Sequence, residues 1–174
     1  MVALAAAATV LAAHTANAHA EKKPVTRAGH MPATALAVVR AGRVCPVPAR
    51  LRPVFVRASS RTGLPMALLV AVARVESDLR VDARSERGAR GLLQVMPGTA
   101  AALRLDPDDP ASNVLAGASY LRQLLDRFSS ADAALAAYNA GPTAVERAGG
   151  APTGAVLTYV ANVDALWHAY EGCA

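Results

Sequence analysis

Pro65-Met-Ala-Leu-Leu-Val-Ala-Val-Ala-Arg-Val-Glu-Ser-Asp-Leu79 is the most apolar stretch of the chain's interior and reads as a helix opened by Pro65. At about 100° per residue from Leu69, the side chains of Val75, Leu68, Leu79 and Val72 fall between about 240° and 300°, with Ala73 near 40°. Glu76 falls at about 340°, within that apolar arc. Ser77, Arg74 and Asp78 occupy about 80° to 180°, the face expected to meet water, while Arg80 lies at or beyond the helix end and can snorkel. A carboxylate in an apolar stripe costs free energy unless it is paired, neutral or used. Two readings of Glu76 follow. It forms an ion pair with Arg80 or Arg90 at the rim of the core, or desolvation raises its pKa and makes it a general acid. The pattern nominates the residue without naming a reaction.

Working outward, the neighbouring segments also read as helices. One runs from about Leu51 to Arg61 and stops at Thr62-Gly63, where glycine supplies a left-handed end. After the Pro65–Leu79 helix comes a glycine-punctuated loop, Asp82 to Gly91, and a short segment, Leu92 to Met96. Pro97-Gly98-Thr99 starts a helix to about Leu103, broken by the turn at Asp106-Pro107-Asp108-Asp109-Pro110. The next spans Asn113 to Phe128, with Val114, Ala118, Leu121, Leu125 and Phe128 spaced for burial. Asp132 is expected to cap a helix over Ala133–Asn139 that ends at Gly141-Pro142. Thr143 and Glu146 have the spacing of a capping box for a short helix closed by Gly149-Gly150. The last helix, Gly154 to Tyr170, aligns Val156, Tyr159, Val160, Val163, Trp167 and Tyr170. No strand pattern competes with these helices. With abundant alanine and only 4% aromatic residues, the expected fold is all-α, in one domain.

The flanking regions suggest processing rather than a second domain. Val2 to Ala13 is almost wholly apolar and leads to Ala16-Asn17-Ala18-His19-Ala20, which reads as a signal peptide over residues 1–20, although no Lys or Arg precedes the apolar run. A plain Ala-rich helix is the alternative, and the stretch is shorter than the ~20 residues of a membrane span. Residues 21–49 read as a linker or loosely packed arm, and 50–174 as the functional domain. Cys45 and Cys173 either bridge almost the whole domain or remain two free thiols. Four scattered histidines and no close cysteine pair give no metal-ligand pattern, so no metal or other cofactor is expected. The net charge of +5 suits an anionic polymer or cell envelope, and equally a solvated basic surface. Nucleic acid is disfavoured, because no dense Lys/Arg run is interleaved with aromatics.

Four sequence blocks go further. They are Glu76-Ser77; Gly88-Ala89-Arg90-Gly91-Leu92-Leu93-Gln94-Val95-Met96-Pro97-Gly98-Thr99-Ala100; Ala137-Tyr138-Asn139-Ala140-Gly141-Pro142; and Tyr159-Val160. In this order and at these spacings, over about Leu51 to Leu166, the chain resembles the lytic transglycosylases of the soluble-Slt type, which are related to goose-type lysozymes. The resemblance implies a lysozyme-like α fold with a glycan-binding cleft. It implies cleavage of the bond between N-acetylmuramic acid and N-acetylglucosamine, with Glu76 as acid and then base and the muramic acid's own 6-hydroxyl as nucleophile. A 1,6-anhydro end results, unlike the products of glycosidases with two flanking carboxylates. Asp78 points about 160° away from Glu76 on an ideal helix and cannot be such a partner.

The same resemblance assigns roles by position. Ser85 faces the reacting sugar, Gln94 hydrogen-bonds glycan amide and hydroxyl groups, and Met96 forms an apolar wall. Tyr138 and Asn139 end the alanine-rich helix near Glu76, and Tyr159 contacts and orients Glu76. From the residues alone, Ser85 and Gln94 would be loop residues, Met96 a core side chain, Asn139 a helix stop and Tyr159 core packing. The family usually has methionine where Leu93 stands and often a glutamate where Ala155 stands, so contacts to the anhydro end or peptide stem, and the exo or endo mode, stay open. The implied partners are peptidoglycan glycan strands, with recruitment by envelope or secretion machinery open. The implied enzyme is a monomer in the periplasm or secreted; hydrolytic muramidases and non-catalytic peptidoglycan-binding modules are the alternatives.

Overall fold

The computed structural model describes residues 44–173; the expected signal peptide and most of the expected arm lie outside them. The central element is the helix α2, Met66–Ser77, in which every residue from Met66 to Ala73 is buried. A helix that is apolar all round belongs in the interior, not at the surface. The expected water-facing side is accordingly incomplete. Arg74 and Asp78 pair at 2.6 Å in partly solvated positions, but Ser77 is buried, its hydroxyl donating to the carbonyl oxygens of Leu92 at 2.8 Å and Ala73 at 3.1 Å. That hydroxyl therefore ties α2 to the 92–96 segment. The helix also stops two residues before the expected Leu79, because Asp78 (φ 53°) and Leu79 (φ 61°) are both left-handed. The Leu79 amide closes back on the Ala73 carbonyl at 3.3 Å, and its side chain is buried. Hydrogen bonding and burial together offset the cost of a left-handed, bulky residue.

Six further helices complete the described residues: α1 Arg52–Thr62, α3 Pro97–Ala102, α4 Pro110–Arg127, α5 Ala131–Ala140, α6 Pro142–Ala148 and α7 Gly154–Ala169. Gly63 ends α1 in the left-handed conformation, as expected. Three local expectations are corrected. Helix α4 begins at Pro110 rather than Asn113, because Asp109 accepts from the Ser112 amide at 2.8 Å and the proline is compatible with the first turn. The cap of α5 is Ser130, which accepts from the Ala133 amide at 3.1 Å, and Asp132 sits inside the first turn. The Thr143–Glu146 capping box does not form. Pro142 starts α6 two residues earlier than that box requires, Gly141 is its N-cap, and Glu146 pairs with Arg127 instead.

Helix α2 packs between α1 and α7; α4 packs on α1, α3 and α5; and α5 packs on α6 and α7. The core includes Phe55, Leu69, Val72, Leu92, Val114, Leu121, Leu135 and Val163. No strand is present among the described residues, only two isolated antiparallel bridges, Arg84–Arg90 and Arg90–Val95. Cys45 and Cys173 are joined in a disulfide with a Cα–Cα distance of 4.7 Å, which settles the open question of their pairing. Cys45 and Val47 are part of the core, so the folded unit reaches back beyond the expected boundary at residue 50.

Candidate active site

Glu76 stands in the last turn of α2, and Tyr159, from α7, donates its hydroxyl to Glu76 Oε1 at 2.8 Å. The two helices pack directly, and Tyr159 is held by the buried stripe it shares with Val156, Val160 and Val163. Thus its packing and its polar contact coexist. Burial raises the Glu76 pKa from 4.5 to about 7, opposed only in part by the Tyr159 hydrogen bond. The expected cationic partners are engaged elsewhere. Arg80 Nε donates to the Ser77 carbonyl at 3.1 Å, and Arg90 pairs with Asp108 at 2.6 Å. Among the described residues Glu76 has no ion pair, so the rim salt-bridge reading is set aside in favour of a half-buried carboxyl group that titrates near neutrality.

The loop before α3 is braced beneath this group. Asn113 of α4 is buried and bonds three loop backbone groups. Its amide donates to the carbonyls of Arg90 at 2.7 Å and Pro107 at 2.9 Å, and its oxygen accepts from the Leu93 amide at 2.9 Å. Gly91 (φ 71°) leaves room for this, since a Cβ there would come within 2.5 Å of the Asn113 amide nitrogen. Tyr138, at the end of α5, donates to the Leu93 carbonyl at 2.7 Å and lies with its ring 5.6 Å from that of Tyr120. Gly117 permits the approach, because a Cβ there would meet Leu93 and the Tyr138 hydroxyl at 2.6–2.8 Å. Backbone polar groups that a loop would otherwise leave unsatisfied are thereby paired.

Glu76, Ser85, Arg87, Ala89, Gln94, Met96, Tyr138 and Asn139 line one cavity of about 210 Å³. A second, of about 250 Å³, shares Arg87, Gln94, Met96, Tyr138 and Asn139 and extends to Thr99, Tyr120 and Gly141. A third shares Thr99 and Tyr120 and continues to Leu103 and Gln123. The three cavities adjoin through these shared lining residues, and Glu76 lines the first of them. Six of the seven residues singled out in the sequence line it; the seventh, Tyr159, reaches it through Glu76. Their states differ from simple expectation, however. Gln94, itself left-handed (φ 43°), spends its amide nitrogen on the carbonyls of Gly91 at 2.9 Å and Ala83 at 3.2 Å. Ser85 Oγ accepts from the Ala89 amide at 3.0 Å and can still donate. Met96 is 44% exposed and belongs to the groove wall, not the core. Asn139 is exposed and directly lines the cavity, whereas the Tyr138 hydroxyl proton is already committed to Leu93.

Sequence reasoning missed Arg87, Thr99 and Tyr120. Tyr120 falls on α4 outside the apolar stripe, the one signal that could have drawn attention to it; Arg87 reads as an ordinary loop cation. Among the described residues, Glu76 is the only carboxylate lining either of the two cavities nearest it. A larger hollow of about 620 Å³, bounded by Val47, Arg50, Arg74, Asp78 and Arg80, has only exposed carboxylates and no group with Glu76's burial. No cluster of three or more His, Cys, Asp or Glu suited to a metal ion occurs among the described residues.

The described residues thus form an all-helical domain in which one half-buried carboxyl group, its pKa raised to about 7 by burial, lines a cavity. The chain belongs to the transglycosylase SLT domain family, whose model matches residues 53–155, more than half of its length. It is 39% identical over 85 residues to a transglycosylase of Enterobacteria phage PRD1, covering 48% of this chain and 32% of that one. It is 35% identical over 107 residues to the soluble lytic murein transglycosylase of Escherichia coli K12, covering 55% and 17% respectively. Among solved structures, an inactive glutamate-to-glutamine mutant of lytic transglycosylase Slt from Pseudomonas aeruginosa superposes with a TM-score of 0.62 at 31% identity, covering 71% of this chain and 24% of that one. The chain thus spans about a third or less of the length of these relatives.

Proposed function

We propose that this chain is a peptidoglycan lytic transglycosylase that cleaves the β-1,4 bond between N-acetylmuramic acid and N-acetylglucosamine without water. The observation that carries the reading is Glu76, half-buried in the groove, hydrogen-bonded to Tyr159 and with its pKa raised to about 7. At neutral pH such a group is present in both forms, as a residue that first gives and then takes a proton requires. Protonated Glu76 donates to the glycosidic oxygen as the C1–O bond breaks. The carboxylate then accepts the proton of the muramic acid 6-hydroxyl while O6 bonds to C1. The proton returns to Glu76, no water is consumed, and the products are a free N-acetylglucosamine 4-hydroxyl and a 1,6-anhydro end. The muramic N-acetyl group is the internal stabiliser of the positive C1, which accords with no second carboxylate among the described residues lining the two cavities nearest Glu76.

The other lining residues have matching tasks. Tyr159 orients the carboxyl group, Ser85, Asn139 and the Gln94 oxygen offer hydrogen bonds to sugar hydroxyl and acetamido groups, and Met96 gives a sugar face an apolar wall. Tyr138 holds the Leu93 backbone and so the groove floor. Its polymeric substrate lies in the cell envelope, where the enzyme would act as a monomer with residues 1–20 as its signal peptide; no helix among the described residues is long and apolar enough to cross a membrane. The test is digestion of purified sacculi by the wild type and by Glu76→Gln, with mass spectrometry of the products. Anhydro-muropeptides from the wild type alone are expected. Reducing ends heavier by one water would identify a hydrolytic muramidase, and retention on sacculi without turnover a binding module.

A further inference from the structure

Arg87 occupies a position in the groove that acid–base chemistry at Glu76 does not explain. It lines both the cavity holding Glu76 and the adjoining one towards Tyr120. The turn carrying it is fixed by three hydrogen bonds: Ser85 amide to Ala89 carbonyl at 3.0 Å, Gly88 amide to Ser85 carbonyl at 2.9 Å, and Ala89 amide to Ser85 Oγ at 3.0 Å. The guanidinium is exposed, and no hydrogen bond or ion pair joins it to another described residue. Its loop neighbours behave differently, since Arg84 and Arg90 both pair with Asp108, at 3.0 and 2.6 Å. Nor does Arg87 serve Glu76, whose titration is governed by burial and Tyr159 with no contribution from a cation. An anchored turn therefore presents one free guanidinium to adjoining cavities whose only carboxyl group among the described residues does not use it.

A guanidinium offers a planar fork of donors matched to a carboxylate. The disaccharide backbone of the proposed substrate is neutral. Its acidic groups hang from the lactyl arm of muramic acid, either as the bare lactyl carboxylate where the peptide is missing or as carboxylates of the stem peptide. We propose that Arg87 is a specificity-determining residue that binds a carboxylate carried by the muramyl substituent beside the scissile bond. This rests on the transglycosylase reading above. Arg87 thereby selects among muramic acid units by the charge of their substituents and takes no part in bond cleavage.

The experiment compares wild type with Arg87→Gln, Arg87→Glu and Arg87→Lys on three glycan preparations: chains with native stems, chains with stem carboxylates converted to amides, and chains stripped of stems by an amidase. Circular dichroism checks folding of each variant. On at least one carboxylate-bearing preparation, Arg87→Gln should raise KM about tenfold and Arg87→Glu more, with Lys partly restoring it and kcat little changed. On amidated chains, which bear no carboxylate, all four proteins should have similar KM. A rise confined to native stems identifies the peptide as the source, and a rise on stripped chains identifies the lactyl group. Unchanged KM on every preparation, or an equal rise on the amidated chains, overturns the proposal. Absence of anhydro products from the wild type on all three would instead overturn the transglycosylase reading, and this inference with it.

Discussion

Replacing Glu76 by Gln should stabilise the protein in a pH-dependent way, with a size that follows from the buried carboxyl group. In the folded state its pKa is about 7, against 4.5 as the ordinary value. Between these pH values the folded protein holds a proton that the unfolded chain has released, so stability falls as pH rises through this window. Below pH 4.5 both states are protonated and the cost vanishes; above about 7 it is fully present. At ~1.36 kcal/mol per pH unit, the interval corresponds to about 3 kcal/mol, a substantial part of a typical folding free energy of about 5–15 kcal/mol. Glutamine is nearly isosteric, does not titrate, and retains an oxygen to accept the Tyr159 hydroxyl. Urea unfolding of both proteins at pH 4, 6 and 8, with the disulfide intact, isolates the effect, because other titrating groups cancel in the difference. The variant's advantage should grow by about 3 kcal/mol from pH 4 to pH 8, while its activity on sacculi is abolished. A difference independent of pH, or one that shrinks as pH rises, would refute the claim that desolvation sets this group's protonation.

Further outcomes follow from the same contacts. The wild-type rate should fall on the alkaline side of about pH 7 as the acid form of Glu76 disappears. Tyr159→Phe removes the one interaction that lowers this pKa, so the alkaline limb should move to higher pH while kcat drops roughly tenfold; an unmoved limb would separate Tyr159 from Glu76. Replacing Cys45 and Cys173 together by serine opens a closure of 128 residues, and urea denaturation should show a loss of up to about 5 kcal/mol by loop entropy. Gly91→Ala combines a left-handed backbone with a clash at Asn113, so its unfolding free energy should fall by at least ~2 kcal/mol, with weaker substrate binding as the Gln94 loop shifts.

Much of the architecture was legible from hydrophobic periodicity and from glycine and proline punctuation. The helices α1, α3, α4, α5 and α7 follow from patterns in single segments, and so does the anomaly of Glu76 among Val72, Val75 and Leu79. Helix ends were harder to read because several residues compete for each cap. Ser130 outdid Asp132, and Pro142 left Thr143 no capping position. An ideal helical wheel also misjudged Ser77, since it measures direction around one axis and knows nothing of Leu92 arriving from another segment.

The sequence by itself determined an all-helical domain, a misplaced carboxyl group and, through four blocks in order, a resemblance that singled out seven residues. Only the tertiary structure decided what those residues are free to do. The Gln94 amide nitrogen and the Tyr138 hydroxyl proton are spent on the protein's own backbone, whereas the guanidinium of Arg87, outside those seven, has no partner among the described residues. It also showed that Glu76 makes no ion pair among the described residues, because whether a carboxylate is paired depends on where the cations lie. Arg90 turns to Asp108, Arg80 turns to the α2 terminus, and Tyr159 comes 83 residues along the chain to meet Glu76. Local periodicity records which side of a helix is apolar. It does not encode the long-range contacts that set desolvation and hydrogen bonding, and those contacts set the pKa.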